Sequence, residues 1–89
     1  MPKIEVYSKM LCPFCHRAKG TLDKLGLSYE VIEVTFNWKR KREMEERSNR
    51  STVPQIFIND FHIGGSDDLE DARSNGLLQK VLDGTHKPA

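Results

Sequence analysis

Apolar and polar positions recur with two different periods along the chain, and these periods predict alternating strands and helices. Residues 4–7 and 29–34 are short segments rich in β-branched and aromatic residues, which is typical of strands. Between them, apolar residues recur at helical spacing: Phe14, Ala18, Leu22 and Leu25. Pro13 suits the first turn of this helix, and Gly26 suits its end.

The middle of the chain predicts a second, strongly charged helix. Asn37 is placed to cap it, and the helix is expected to extend through Ser48. Opposite charges lie four residues apart along it: Lys39/Glu43, Lys41/Glu45 and Glu43/Arg47. Its basic stretch, residues 39–42, is followed at once by acidic residues, which favours a solvated, salt-bridged helix face over a nucleic-acid contact. Trp38 is expected to pack partly into the core.

The last third of the chain predicts a hairpin and two helices. Residues 55–58 and 61–63 read as strands joined by a tight turn at Asn59-Asp60. After Gly64-Gly65, Ser66 is expected to cap a third helix that ends at Asn75-Gly76, before a short helix over residues 77–82.

The order of these elements predicts the fold class. Strand, crossover helix and strand give a parallel pair, and the hairpin adds an antiparallel pair. The order β-α-β-α-β-β-α, closed by the short helix, therefore predicts an α/β fold with a mixed four-stranded sheet flanked by helices. Since no repeat or linker interrupts residues 1–89, we expect a single domain with a short polar tail from about Gly84.

Composition excludes several classes of protein. Hydrophobic residues make up 37% of the 89 residues and charged residues 30%, which suits a globular chain. Fourteen Lys+Arg and thirteen Asp+Glu leave a net charge of +1, too balanced for a protein that coats nucleic acid or an anionic membrane. The sequence has no apolar run long enough to span a bilayer and no apolar signal core at its start, so we expect a cytoplasmic protein.

Both cysteines lie in one tetrapeptide, Cys12-Pro13-Phe14-Cys15. A bridge across two residues closes almost no loop, so this pair does not serve to stabilise the fold. Cys12 falls at a helix N-terminus, where free N–H groups and the helix dipole favour the reactive thiolate. The dipole alone is too weak for full activation, and Lys9 and Arg17 are the nearest cations that add to it. Cys15, one turn further, is expected to be more buried with a more ordinary pKa; Cys12 then attacks a disulfide and Cys15 resolves the product.

Two other chemistries use the same spacing. Cys-x-x-Cys followed by His16 is also the attachment motif of c-type haem, but the cysteines lie in a βαβ pattern and no export signal precedes them. A structural zinc site needs four ligands, and only His16, His62 and His86 are available, at spacings that match no standard site. Neither metal nor haem is therefore expected, and a thioredoxin-like redox motif is favoured.

Three segments together resemble those of a dithiol glutaredoxin of the bacterial type, within the thioredoxin-like superfamily. They are Cys12-Pro13-Phe14-Cys15, Thr52-Val53-Pro54-Gln55 and the segment that begins at Gly64-Gly65-Ser66-Asp67. Lys9, three residues before the first cysteine, also matches, and the likeness extends over residues 3–82.

The resemblance implies a set of glutathione-binding residues: Lys9, Phe14, Thr52, Val53, Pro54, Gly65, Ser66 and Asp67. A cis Pro54 would turn the Val53 backbone toward the site, and N–H groups at Ser66-Asp67 would hold the γ-glutamyl carboxylate. Asp67 would bind the glutathione amino group and Lys9 the glycyl carboxylate, with Arg40 as a further basic residue near that end. Phe14 stands where the family often has Tyr, and Ser66 where it often has Cys.

The implied activity is glutathione-dependent reduction of protein disulfides and protein–glutathione mixed disulfides through Cys12 and Cys15. Glutathione is the reducing co-substrate, glutathione reductase acts indirectly, no cofactor is bound, and the protein is a monomer. One alternative is a redoxin recharged by thioredoxin reductase, which the glutathione-type segment at Gly64-Gly65 disfavours. The other is an iron–sulfur cluster carrier that bridges two chains, which Pro13 disfavours.

Overall fold

The computed structural model describes residues 2–84, and the elements within that range follow the predicted order. They are β1 (Ile4–Ser8), α1 (Pro13–Lys24), β2 (Glu30–Glu33), α2 (Trp38–Ser48), β3 (Gln55–Ile58), β4 (Phe61–Gly64), α3 (Ser66–Asn75) and α4 (Leu77–Asp83). The predicted polar tail and its His86 lie outside the described residues. Across residues 2–84, no helix has the length and apolar character needed to cross a membrane.

The four strands form one mixed sheet in the order β2-β1-β3-β4, which confirms the predicted α/β architecture. β1 runs parallel to β2, with Ser8 opposite Glu33, and antiparallel to β3, with Tyr7 opposite Gln55. β3 and β4 are antiparallel, with Gly64 near the start of β3. The chain therefore leaves β1, β2 and β4, and enters β3, at one common edge of the sheet, which we call the site edge.

Side chains alternate across the sheet, and the side chains of both faces are buried by helices. One face packs against α1, α3 and α4 through an apolar cluster that includes Val6, Leu22 and Leu69. The opposite face carries a smaller cluster in which Tyr7 and Phe57 pack with Met44 of α2, among others. Helices thus cover both faces, and the site edge between them remains open to ligands.

Most element boundaries lie within one or two residues of those predicted, and Asn37 caps α2 by accepting a hydrogen bond from the Arg40 N–H at 3.2 Å. The predicted ion pairs on α2 are wrong in detail. Arg40 pairs with Glu43 and Arg42 with Glu46. Glu43 and Arg47 do not pair directly, because the Tyr7 hydroxyl lies between them: it donates to Glu43 at 2.9 Å and accepts from Arg47 at 2.8 Å.

Arg47 connects α2 to the sheet through several partners at once. Its guanidinium donates to the Glu5 carboxylate at 3.1 Å and to Asp60 at 3.3 Å, and it lies 4.0 Å from the centre of the Phe57 ring. Glu5 is 8% exposed, so its charge is removed from water and needs this partner. Burial raises the pKa of Tyr7, against the opposing effect of the Arg47 guanidinium, which keeps the phenol a neutral donor.

We expect Arg47→Leu to destabilise the fold, because it leaves the buried Glu5 carboxylate with only the exposed Lys3 ammonium, 4.0 Å away, as a cationic partner. The free energy of unfolding should fall by roughly 3 kcal/mol in urea titrations. Arg42→Leu is the matched control: Arg42 pairs with Glu46 on the exposed face, so its loss should cost less than about 0.5 kcal/mol. Equal effects of the two substitutions would contradict the role given to Arg47.

Candidate active site

Cys12 is the last residue of the loop between β1 and α1, and it occupies the N-cap position of α1. Its sulfur accepts a hydrogen bond from the Cys15 N–H at 3.3 Å, and Pro13 occupies the first turn of the helix. Cys12 thus lies at the helix N-terminus, as predicted, and one N–H group there contacts its sulfur. A sulfur at this position meets the N–H groups that the first turn leaves without acceptors, and these groups stabilise negative charge on it.

Cys15 faces the interior and is 1% exposed. Burial raises the pKa of its thiol, and the neighbouring Cys12 sulfur raises it further. Hydrogen bonds from the Lys9 backbone and the Ser8 side chain partly oppose this increase. The thiol is thus buried as expected, but its pKa is raised rather than ordinary. The two sulfurs therefore differ in access, and the buried one has a raised pKa.

The segment before β3 approaches Cys12 from the neighbouring strand. The Cys12 sulfur lies 4.0 Å from the carbonyl oxygen of Val53, and the peptide bond between Val53 and Pro54 is cis, as the resemblance implied. Backbone polar groups of Val53 thus lie beside the Cys12 sulfur. A molecule bound at Cys12 can therefore pair with them in the manner of an added strand.

A groove of about 280 Å³ lies beside these segments. Its lining residues come from three separate parts of the chain: Phe14, Thr52, Val53, Pro54, Gly65, Ser66, Asp67 and Asp68. The structure thus brings together every predicted glutathione-binding residue except Lys9, which follows β1 and does not line the groove. The predicted Arg40 is also absent from the lining and pairs instead with Glu43.

The start of α3 differs from the prediction by one residue. Gly65 holds the N-cap position, so Ser66 is the first helical residue, and its buried hydroxyl has no hydrogen-bond partner among the described residues. The Asp68 carboxylate caps the helix instead, by accepting from the Gly65 N–H at 2.9 Å. Gly64 has a φ of +118°, and a Cβ there would lie 2.4 Å from the Asp68 carboxylate, so glycine is required at this position.

Asp68 also joins two walls of the groove, a role that the sequence reading missed. Its carboxylate accepts from the Arg50 guanidinium at 2.7 Å, and Arg50 precedes Thr52 in the opposite wall. This guanidinium, together with the Gly65 N–H, lowers the pKa of Asp68. An acidic residue three positions after a helix cap is a known capping pattern, so the sequence held the signal for one half of this role.

Gln55 is a second residue that the sequence reading missed. It is 1% exposed, and its side-chain amide donates to the Thr52 carbonyl at 3.1 Å and to the Thr52 hydroxyl at 3.2 Å. Its remaining oxygen lies 2.7 Å from His62 Nε2, which must then carry the proton and donate. Burial and the nearby Arg50 charge lower the pKa of His62. These bonds fix the conformation of the segment that presents Val53.

Arg17 and Trp38 are two further side chains that the sequence analysis singled out. Asp67 is exposed and pairs with Arg17 of α1 at 3.9 Å, so the Arg17 guanidinium is directed to the groove that Asp67 helps to line. Trp38 is 68% exposed rather than part of the core, because it is the first residue of α2 and the helix turns its ring outward. The Lys39 ammonium lies 5.9 Å from that ring.

Comparison with known proteins gives one consistent result. The glutaredoxin family model matches residues 4–63. Glutaredoxin 3 of Escherichia coli (strain K12) is 45% identical over 82 residues, which cover 92% of this chain and 99% of that protein. Glutaredoxin 1 of Rickettsia prowazekii (strain Madrid E) is 41% identical over 87 residues, which cover 96% of this chain and 90% of that protein.

Solved structures give the same result. A buckwheat glutaredoxin–glutathione complex superimposes with a TM-score of 0.82 at 30% identity, covering 92% of this chain and 77% of that one. The solution structure of glutaredoxin from Brucella melitensis superimposes with a TM-score of 0.81 at 38% identity, covering 98% of this chain and 94% of that one. The similarity therefore includes sequence, fold and nearly the whole described chain.

Proposed function

The chain belongs to the glutaredoxin family and is a thiol–disulfide oxidoreductase, and we propose that glutathione is the thiol that supplies its reducing equivalents. Its substrates in this proposal are protein disulfides and protein–glutathione mixed disulfides. Cys12 is the attacking residue and Cys15 the resolving one. No resident metal or cofactor takes part.

The groove beside Cys12 is the observation that carries the proposal, because its lining offers the groups that a γ-glutamyl tripeptide requires. The free N–H groups at the start of α3 suit the γ-glutamyl carboxylate, and the exposed Asp67 suits the adjacent amino group. The Val53 backbone, close to the Cys12 sulfur, suits the peptide groups of the central cysteine. Lys9 is assigned to the glycyl carboxylate.

Reduction of a substrate disulfide begins at Cys12. Its thiolate attacks one sulfur, a Cys12–substrate disulfide forms, and the other sulfur leaves as a thiolate with the bonding electrons. For a protein disulfide, the Cys15 sulfur then attacks Cys12, which forms the Cys12–Cys15 disulfide and releases the reduced substrate. Burial keeps Cys15 from outside disulfides while leaving it within reach of Cys12.

Glutathione returns the protein to the dithiol form in two steps. A first glutathione thiolate attacks the Cys12 sulfur, which forms a Cys12–glutathione disulfide and frees Cys15. A second attacks the bound glutathione sulfur, so that oxidised glutathione leaves and Cys12 regains its thiolate. Two electrons pass from two glutathiones to one disulfide. Glutathione reductase, which reduces oxidised glutathione, is the indirect partner.

We extend the proposal to the setting of the protein. A single-domain monomer in the cytoplasm is the state in which this cycle operates, because cytosolic glutathione keeps thiols such as Cys15 reduced. The substrate is then a cytosolic protein whose cysteine has been oxidised or glutathionylated.

The source of electrons provides the direct test. With a glutathionylated peptide as substrate, we expect sustained turnover with glutathione and glutathione reductase, and none with thioredoxin reductase in their place. NADPH consumption measures both rates. Turnover driven by thioredoxin reductase alone would favour the redoxin alternative, and visible absorbance after anaerobic purification would favour the cluster carrier.

The two cysteines should separate the two activities. Cys15→Ser should retain reduction of a glutathionylated peptide, which needs only the Cys12 thiol, and should lose reduction of a protein disulfide. Cys12→Ser should lose both. Product formation with each substrate under the same glutathione conditions measures the split, and a Cys15→Ser variant as inactive as Cys12→Ser on the glutathionylated peptide would refute these assignments.

Asp67→Asn separates glutathione binding from helix capping. Since Asp68 caps α3, the Asp67 carboxylate is not needed for the cap, and its one ion pair, with Arg17 at 3.9 Å, is long and exposed. Loss of its charge should therefore lower kcat/KM for glutathione about tenfold or more. Asp71→Asn, the same change in the next turn of α3 and outside the groove, is the matched control and should leave kcat/KM unaltered. Unaltered glutathione kinetics in a folded Asp67→Asn protein would remove Asp67 from the site.

A further inference from the structure

Three large apolar side chains are exposed on the chain segments that leave β1 and β2 at the site edge, outside the groove. They are Met10, Leu11 and Phe36, with exposed fractions of 59%, 93% and 88%, and we call them the apolar rim. None of them is required by the glutathione site described above. Exposed apolar side chains that cluster at one place on a soluble protein are typical of a surface that binds a partner.

Hydrogen bonds place the members of the rim side by side. Beyond the paired ends of β1 and β2, the Val34 N–H donates to the Ser8 carbonyl at 2.9 Å. The Met10 N–H then donates to the Thr35 hydroxyl at 2.8 Å. The two chain segments therefore continue next to each other past the sheet. Leu11 and Phe36 are the residues that follow this last contact in each segment.

The sheet order places the rim and the groove on opposite sides of Cys12. At the site edge, the strands succeed one another as β2, β1, β3 and β4. Phe36 follows β2, Cys12 follows β1, and the groove is built from the segments before β3 and after β4. A molecule that occupies the groove and extends past the Cys12 sulfur therefore reaches the rim.

The backbone of Leu11 adds a second indication. Its φ is +56°, in the left-handed region that a side chain with a Cβ disfavours. Glycine or asparagine would suit this conformation better, and a leucine that is 93% exposed gains little packing in return. In the free protein, nothing about the fold therefore favours leucine at this position.

We propose that the apolar rim binds the protein part of a protein–glutathione mixed disulfide and selects substrates with apolar side chains next to the modified cysteine. This inference rests on the proposed function. Glutathione occupies the groove, and the Cys12 thiolate attacks the glutathione sulfur. The Cys12–glutathione bond forms as the glutathione–substrate bond breaks. The substrate cysteine leaves as a thiolate above the rim and takes a proton from water.

Two glutathionylated peptides of equal length and charge test the rim, one with Leu and Phe beside the cysteine and one with Ser and Asn. The unaltered protein should favour the apolar peptide about tenfold in kcat/KM. Leu11→Asn and Phe36→Ser should each reduce that preference markedly, and together to within about twofold, while turnover of the small cysteine–glutathione disulfide is retained. Asparagine tolerates a positive φ, so Leu11→Asn is expected to fold normally.

Two further variants serve as controls. Leu11→Met keeps an apolar side chain and should retain the preference. Leu25→Asn makes the same chemical change at a surface leucine beyond the far end of α1, and should also retain it.

Three results would overturn the inference. The first is a wild-type protein without the peptide preference, and the second is an unchanged preference in the double variant. The third is a dimer in sedimentation experiments that Leu11→Asn dissociates, because a second copy would then cover the rim. If the unaltered protein did not reduce the small cysteine–glutathione disulfide with glutathione as the electron source, that result would instead refute the proposed function. In that event, the rate of peptide thiol release in a single turnover still measures the preference and decides on the rim.

Discussion

The pairing of β1 on both of its edges is the constraint on which the rest of the structure depends. Parallel pairing with β2 and antiparallel pairing with β3 direct the loop after β1, the loop after β2 and the segment before β3 to the same edge of the sheet. Antiparallel pairing of β3 with β4 adds the start of α3. Chain segments as far apart in sequence as Phe14 and Asp68 thus meet around Cys12. A different direction for any one strand would remove one wall of the site.

The direction of α1 gives the two cysteines unequal properties. Cys12 lies at the cap, where its sulfur meets an N–H group, whereas Cys15, three residues later, is carried by the helix into the interface with the sheet. Burial then raises the pKa of Cys15. A buried thiol with a raised pKa attacks outside disulfides slowly but acts on a disulfide formed at its neighbour, because proximity replaces diffusion. The geometry of one helical turn therefore supports the proposed order of attack.

Local sequence signals predicted the elements, the sheet and the position of Cys12 at the start of α1, because periodicity, turn residues and the Cys-x-x-Cys motif act over a few residues. They failed where a contact joins distant residues. Nothing near Glu43 shows that the Tyr7 hydroxyl lies between it and Arg47. The cap of α3 was misplaced by one residue because Gly64 continues β4 and Asp68 supplies the capping carboxylate. Trp38 was expected to pack partly into the core, whereas its place at a helix start exposes it.

The groove and the apolar rim, on the two sides of Cys12, are formed by different parts of the chain: backbone groups in one and side chains in the other. The groove relies largely on backbone groups, namely the Val53 peptide and the first N–H groups of α3, held in place by residues such as Gly64, Gln55 and Asp68. The rim consists of side chains alone, on loops whose backbone contacts do not depend on their identity. Substitution of these supporting residues therefore disturbs the fold together with ligand binding, whereas substitution in the rim alters the exposed surface. The proposed glutathione site and the proposed substrate surface can consequently change independently of each other.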